Sequence, residues 1–344
     1  MTEKPAHIEH RRLGSGGPEV SAIGLGFMSF RTSADAEDEK QATELVAEAI
    51  DLGVTLFDTA DVYGPEFSEI LLGKAIRGRR DALTIATKFG NALDRDTNPD
   101  ARALDGRPEY VRSAIEGSLR RLGVDHIDLY YQHRVDPEVP IEDTVGALAE
   151  LVEAGKVRHI GLSEPGPQTL RRAHAVHPIA AIQNEWSVFT RDIEADTVPI
   201  ARELGIGIVP YSPLGRGWLT GRVRSVQDVK GVQSRHPRFG ADVFDHNRAL
   251  AETVVEIATQ IGVKPGQVAL AWVLSRGQDV VPIPGTRHVE YLRENLGALT
   301  VELSEEHLGQ LETIADQVGG HRSIRPEHLG VEAPDAPSVS AGAS

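Results

Sequence analysis

Four residues in this chain have side chains suited to moving a proton onto an oxygen: Asp58, Tyr63, Lys88 and His133. Three of them directly follow short β-branched, apolar runs, 54–57, 83–87 and 127–132. A carboxylate and an ammonium at neighbouring strand ends are expected to pair, because a buried charge without a partner costs several kcal/mol. A phenol near that ammonium has its anionic form stabilised; a charge pair at about 4 Å and an effective dielectric near 20 is worth roughly 4 kcal/mol, part of which Asp58 offsets. Tyr63 is then fitted to release its proton to a developing alkoxide and to remain briefly as tyrosinate. His133 adds a hydrogen bond that orients a carbonyl oxygen. The group contains no nucleophile, and the chain has no cysteine, so thiolate chemistry and disulfides are excluded. Carbonyl reduction fits, provided a hydride comes from elsewhere.

The elements that must position these residues show a regular alternation. Apolar runs at 21–25, 54–57, 83–87, 127–132, 157–162, 180–183, 206–210 and 280–283 are separated by amphipathic stretches. Ala42, Leu45, Val46, Ala49 and Ile50 fall on one helical face, as do Val111, Ile115, Leu119 and Leu122. Gly53, Gly123 and Gly155 stand where left-handed helix ends are expected. Repeated βα units admit a closed (β/α)8 TIM barrel or a doubly wound open sheet. The open sheet should carry Gly-x-Gly-x-x-Gly after its first strand, but Gly24-Leu25-Gly26 runs on into Phe27-Met28-Ser29-Phe30. That favours the barrel. The residues ending its strands, Asp58, Lys88, His133, Ser163, Gln183, Tyr211 and Gly285, would then converge on the rim where such barrels do chemistry.

A hairpin of 8–13 and 19–22 around the turn 14–18 is expected to cap the other end. Stretches 91–107 and 212–246 are long and polar enough to be functional loops. The reading is one barrel domain over 1–320 with a C-terminal extension, 321–344, whose last dozen or so residues are expected to be mobile.

Charge narrows the partners. With 36 basic and 51 acidic residues, a net charge of -15 disfavours nucleic acids and anionic membranes. No apolar run reaches the roughly 18 residues of a membrane span and the first residues lack a signal-peptide core, so a cytoplasmic protein is expected. His174 and His177 have metal-ligand spacing but no third ligand, and no metal is assigned. Arg216, Arg222, Arg224, Arg235 and Arg238 read either as a clamp for acidic groups or as a solvated loop.

Seven segments carry a family resemblance: Phe57-Asp58-Thr59-Ala60-Asp61-Val62-Tyr63-Gly64, Thr87-Lys88, Asp128 through Arg134, Gly155 through Glu164, Gln183 through Ser187, Tyr211 through Gly217, and Ile283-Pro284-Gly285-Thr286-Arg287. From about Arg12 to about Ile314 the sequence resembles the aldo-keto reductase family. The resemblance implies the (β/α)8 fold, NADPH as hydride donor, Tyr63 as proton donor, and Asp58, Lys88 and His133 as its partners. It also implies that Tyr211 stacks on the nicotinamide, with Ser163 and Gln183 on its carboxamide and Glu164, Phe27 and Met28 nearby. Ser212, Leu214, Gly215 and Gly217 would cover the pyrophosphate. Gly285, Thr286 and Arg287 would grip the 2'-phosphate, and Glu294 and Asn295 would reach the adenine.

Tyr291 stands where relatives usually carry Gln, which keeps NADH in view as the alternative cofactor. Phe27, Met28, Phe89, Trp186 and Trp218 are candidates for an apolar substrate mouth around Tyr63 and His133, with about half expected to face the core instead. The implied substrate is a small aldehyde or ketone, sugar-derived, aromatic or pyridoxal-like, and the implied state a monomer or weak homo-oligomer. The same residues also fit a second reading, a cofactor-binding redox-sensing regulatory subunit with poor turnover, as in relatives of potassium-channel β subunits. A metal-dependent barrel hydrolase is disfavoured by the lack of a His-x-His pair.

Overall fold

The computed structural model describes residues 8–30, 34–64, 66–93 and 102–336. Positions 94–101 of the expected functional loop and 337–344 of the expected mobile tail lie outside the described residues. In chain order the strands are β1 (His10–Arg12), β2 (Glu19–Ser21), β3 (Leu25–Gly26), β4 (Leu56–Asp58), β5 (Thr84–Phe89), β6 (Asn91–Leu93), β7 (Arg102–Leu104), β8 (Ile127–Gln132), β9 (Val157–Ser163), β10 (Ile179–Glu185) and β11 (Gly207–Tyr211). The helices are α1 (Ala36–Asp51), α2 (Phe67–Ala75), α3 (Pro108–Leu122), α4 (Ile141–Glu153), α5 (Pro167–Val176), α6 (Thr197–Glu203), α7 (Phe244–Ile261), α8 (Pro265–Leu274), α9 (Val289–Leu296) and α10 (Glu305–Glu312).

Seven parallel strands form one sheet in the order β11-β10-β9-β8-β5-β4-β3. The eighth stave is the extended segment 279–285. Val281 and Ile283 donate to Ile208 and Pro210 on the β11 side at 2.9 and 3.0 Å, and Gly24 and Gly26 donate to Pro282 and Pro284 on the β3 side at 3.0 and 3.3 Å. Pro282 and Pro284 have no N–H, so neither can donate to a ladder, and this stave lacks a regular strand's bonding. The (β/α)8 barrel is thus nearly closed. Gly26 permits the closure, since a Cβ there would lie 2.8 Å from the Ile283 carbonyl oxygen.

The expected first barrel strand at 21–25 requires correction. Ser21 ends the hairpin, whose register pairs His10 with Ser21 and Arg12 with Glu19, and the barrel strand is Leu25–Gly26. Between them the Ser21 hydroxyl donates to the Ile23 carbonyl at 2.8 Å and the Ala22 amide to Glu9 at 2.8 Å, which turns the chain.

Leu13 and Val20 from the hairpin join Leu56, Ala86, Leu129, Tyr131, Ala181, Val209, Val281 and Ile283 in the barrel interior, closing its lower end to water. The larger core lies between barrel and helices, where α1 buries Ala42, Leu45, Val46 and Ala49 and α3 buries Val111, Ile115 and Leu122. Gly123 ends α3 with φ 65°, the left-handed conformation anticipated for it. No helix among the described residues is long and apolar enough to cross a membrane. Beyond α10 the chain returns across the strand C-termini, where Val331 bridges Pro165 just past β9.

Candidate active site

Asp58 ends β4 and Lys88 lies on β5, so their side chains meet inside the upper barrel. Lys88 is fully buried; its Nζ donates to Asp58 Oδ1 at 2.5 Å and to the Thr59 carbonyl at 2.8 Å. Gln183 on β10 donates its amide to Asp58 Oδ2 at 2.8 Å, so both carboxylate oxygens are engaged. Burial opposes the charge on Lys88, but Asp58 and Tyr63 outweigh it and raise the ammonium above its ordinary value, so it stays charged. Burial likewise lifts the Asp58 carboxyl, against the pull of Lys88 and Gln183.

Tyr63 lies in the turn before α2, with Lys88 Nζ 5.1 Å from its ring centroid. The His133 ring meets that of Tyr63 edge to face, with centroids 5.7 Å apart. His133 follows β8 directly and is pinned by its backbone amide, which donates to the Phe89 carbonyl at 2.7 Å. A buried ion pair, a phenol and an imidazole therefore share one floor.

Above it runs a cleft of about 520 Å³. Asp58, Tyr63, His133, Arg134 and Gln183 line one end, Gly285, Thr286, Tyr291, Glu294 and Asn295 the other, with Tyr211, Ser212, Leu214, Arg216 and Gly217 between. The turn between the two ends is unusual, since Ser212, Gly215, Arg216 and Gly217 all have positive φ. For Ser212 and Arg216 such a conformation costs about 1–3 kcal/mol each, typical of backbone held in place for function. Gln233 ties the turn by donating to the Arg216 carbonyl at 2.6 Å.

Met28 lines the cleft, whereas Ser163 and Glu164 do not. Ser163 Oγ accepts from Arg134 at 2.8 Å and donates to the Gln183 carbonyl at 2.9 Å, one layer behind. Arg287 is also absent from the lining; it donates to Gln41 at 2.8 Å, pairs with Asp38 and lies 4.9 Å from the Phe30 ring centroid. Arg222 stacks 3.7 Å from the Tyr291 ring centroid and donates to Glu294 at 2.9 Å.

Of the five candidates for an apolar mouth, Met28 lines the cleft and the four aromatic rings do not. Phe27 stacks on Phe30 at 4.5 Å, Phe89 packs on Tyr130 at 5.0 Å, and Trp218 sits 4.9 Å from Phe239 and 5.0 Å from Phe244. Trp186 is buried, with its indole N–H donating to Glu194 at 2.8 Å. Reasoning from sequence missed Arg134, Lys230 and Gln233 in the lining; only the position of Arg134 beside His133 at a strand end signalled its place. The two histidines with metal-ligand spacing have local uses, His174 accepting from the Ile179 amide at 3.1 Å and His177 contacting the Pro178 carbonyl at 3.1 Å.

Asp61, between Asp58 and Tyr63, has one carboxylate oxygen buried without a hydrogen-bond partner among the described residues. Burial and the nearby Glu69 push its carboxyl up to about 8, against Arg121 and Lys88. A carboxyl raised in the folded state adds stability that is complete below the ordinary Asp range and is lost as pH rises through the folded value. Asp61→Asn should therefore lose less stability than the parent between about pH 5 and about pH 9. Urea midpoints across that range check this, and parallel curves for the two proteins would contradict the shifted carboxyl.

The family model described as "Aldo/keto reductase family" matches residues 22–316. A probable aldo-keto reductase 1 from Glycine max is 50% identical over 322 residues, covering 92% of each chain. Among solved structures, a glycerol dehydrogenase from Gluconobacter oxydans superposes with a TM-score of 0.80 at 27% identity over 99% of this chain and all of its own. A thermostable aldo-keto reductase, Tm1743, solved with the inhibitor epalrestat, gives 0.72 at 31% identity over 89% of this chain and all of its own. A holo aldo-keto reductase from Bacillus halodurans gives 0.74 at 26% identity, covering 94% of this chain and 99% of its own. With a family match over most of its length and half of the 322 aligned positions identical in a relative matched over 92% of each chain, this chain belongs to the aldo/keto reductase family.

Proposed function

We propose that the protein reduces the carbonyl of a small aldehyde or ketone with hydride from NADPH, Tyr63 donating the proton. The observation that carries this reading is Tyr63 on the cleft floor beside a fully buried Lys88 whose charge Asp58 and Gln183 hold in place. NADPH, when bound, supplies the hydride. The residues present fit it: Arg216, Arg222 and Lys230 put positive charge along the cleft, and the 212–217 turn offers close backbone approach to phosphates.

Tyr63 gives its proton to the carbonyl oxygen as negative charge develops there, and Lys88 stabilises the phenolate left behind. His133 orients the same oxygen. Tyr211 would offer its ring face to the nicotinamide, while Gln183, backed by Ser163, would meet the carboxamide. Ser212, Leu214, Gly215 and Gly217 would cover the pyrophosphate, Gly285 and Thr286 would flank the 2'-phosphate, and Glu294 and Asn295 would address the adenine.

Arg287 would have to turn from Asp38 and Gln41 to reach the 2'-phosphate. Arg287→Ala should raise the NADPH dissociation constant about tenfold or more, as expected for a charge-assisted contact of about 1.5–3 kcal/mol, and leave NADH unaffected. Unchanged NADPH affinity on titration would remove Arg287 from this role.

Loss of reduced-nicotinamide absorbance against a panel of aldehydes and ketones, with NADPH and NADH side by side, tests the function as a whole. Turnover preferring NADPH is expected. Tight NADPH binding without turnover on any carbonyl would replace the enzyme with a redox-sensing subunit.

A further inference from the structure

We propose that Arg322, on the segment that follows α10, is a positioning residue: it locks Glu164, and through Glu164 sets Tyr211 against the nicotinamide. The proposal rests on the reading above that the nicotinamide lies on Tyr211. Arg322 falls beyond the family match, which ends at 316, so the matched region does not contain it.

The contact is built from buried parts. Both terminal nitrogens of Arg322 donate to the Glu164 carboxylate, at 2.8 and 2.8 Å, and its Nε donates to Asp192 at 2.9 Å. Glu164 is 0% exposed and Arg322 7%. The same carboxylate accepts from the Tyr211 hydroxyl at 2.8 Å, the Glu185 amide at 2.9 Å and the Asn184 side chain at 3.2 Å. One carboxylate thus joins the ends of β9, β10 and β11 to the C-terminal segment. Burial by itself would lift the Glu164 carboxyl; Arg322, with Arg134 assisting, more than reverses this and keeps it below the usual carboxylate range. The interaction remains ionic.

Two further features separate this contact from an ordinary ion pair. Glu164 has φ 54°, a strained conformation for a side chain of its size, and it stands next to Ser163 behind the cleft. Its carbonyl accepts from Gly330 at 3.1 Å and its amide donates to Gln183 at 3.2 Å, so the strap holds the backbone as well as the carboxylate. The strap itself is fastened: the Glu332 carboxylate accepts from the amides of Gln168 and Thr169 in the first turn of α5, at 3.0 and 2.6 Å, and Arg172 donates to the Ala333 and Pro334 carbonyls at 2.8 and 2.6 Å. Arg322 is therefore delivered by an anchored segment.

Without Arg322 the buried carboxylate loses its main counter-charge and must either take a proton, which weakens the bond it accepts from the Tyr211 hydroxyl, or rotate toward solvent, which breaks it. The far end of the cleft, at Thr286 and Asn295, has no part in this contact.

The test compares NADPH with 2',5'-ADP, a probe that lacks nicotinamide, by calorimetric titration of the full-length protein. Arg322→Met should raise the NADPH dissociation constant roughly tenfold and lower kcat by roughly ten- to a hundredfold, while 2',5'-ADP binds as to the parent. In a Tyr211→Phe background, which keeps the ring and removes the hydroxyl, Arg322→Met should add no further loss of NADPH affinity. If Arg322→Met does not fold, Arg322→Lys, which keeps the charge and loses the paired geometry, should show the same selectivity more weakly. Equal weakening of both ligands, unchanged NADPH binding, or an undiminished effect in the Tyr211→Phe background would each overturn the positioning role. A parent protein that binds 2',5'-ADP but gains nothing from the nicotinamide half would overturn the functional reading beneath it.

Discussion

Tyr63→Phe is expected to lower carbonyl reduction by roughly a hundredfold to ten-thousandfold, the usual contribution of a positioned general acid, while leaving the NADPH dissociation constant where it was. The substitution removes one oxygen and, with it, the phenol's support of the Lys88 ammonium, which Asp58 still holds. The ring stays, and with it the edge-to-face contact to His133 at 5.7 Å and the approach of Lys88 at 5.1 Å. A loss confined to kcat would identify an interaction made in the transition state only. Substantial residual turnover would move the proton donor elsewhere, with His133 the next group on the same floor.

Lys88→Met should have the largest effect on stability. It strands the Asp58 carboxylate at a site where, among the described residues, only the Gln183 amide remains to satisfy it. Breaking one side of such a buried pair costs about 3–5 kcal/mol, a large part of the stability of an ordinary domain. Turnover should fall as well, and the double variant Tyr63→Phe/Lys88→Met should be little slower than the worse single one, because the two groups act as a unit. Asp58→Asn combined with Lys88→Met separates the two effects: a neutral pair should recover most of the urea midpoint without recovering turnover. Recovery of both would make the ion pair structural only.

Much of this arrangement is legible in the sequence, for a geometric reason. Parallel strands of a barrel deliver their last residues to one rim, so Asp58, His133, Gln183 and Tyr211 could be brought together from their places at strand ends. Side-chain direction along a strand was harder to read. Lys88 points into the barrel, so Phe89, its neighbour, points outward onto Tyr130 and cannot line the cleft. Apolar composition around the site did not distinguish these two directions.

Contacts between distant parts of the chain were hidden altogether. Arg287 had the sequence context of a free anion grip, yet Asp38 on α1 pairs with it. Arg322 lies in the C-terminal extension, where no motif marks it, and its partner Glu164 is 158 positions earlier. The eighth stave was placed correctly at 280–283, but its two prolines deny it a regular ladder.

The most direct test of carbonyl reduction at this site follows the hydrogen itself. NADPH carrying deuterium at the transferable position of the nicotinamide ring is incubated with the protein and a carbonyl substrate, and the alcohol is analysed by mass spectrometry. Deuterium on the former carbonyl carbon, formed roughly a hundredfold or more slowly when Tyr63→Phe replaces the parent, is the expected result. An alcohol formed without deuterium, or equal labelling by both proteins, would contradict it.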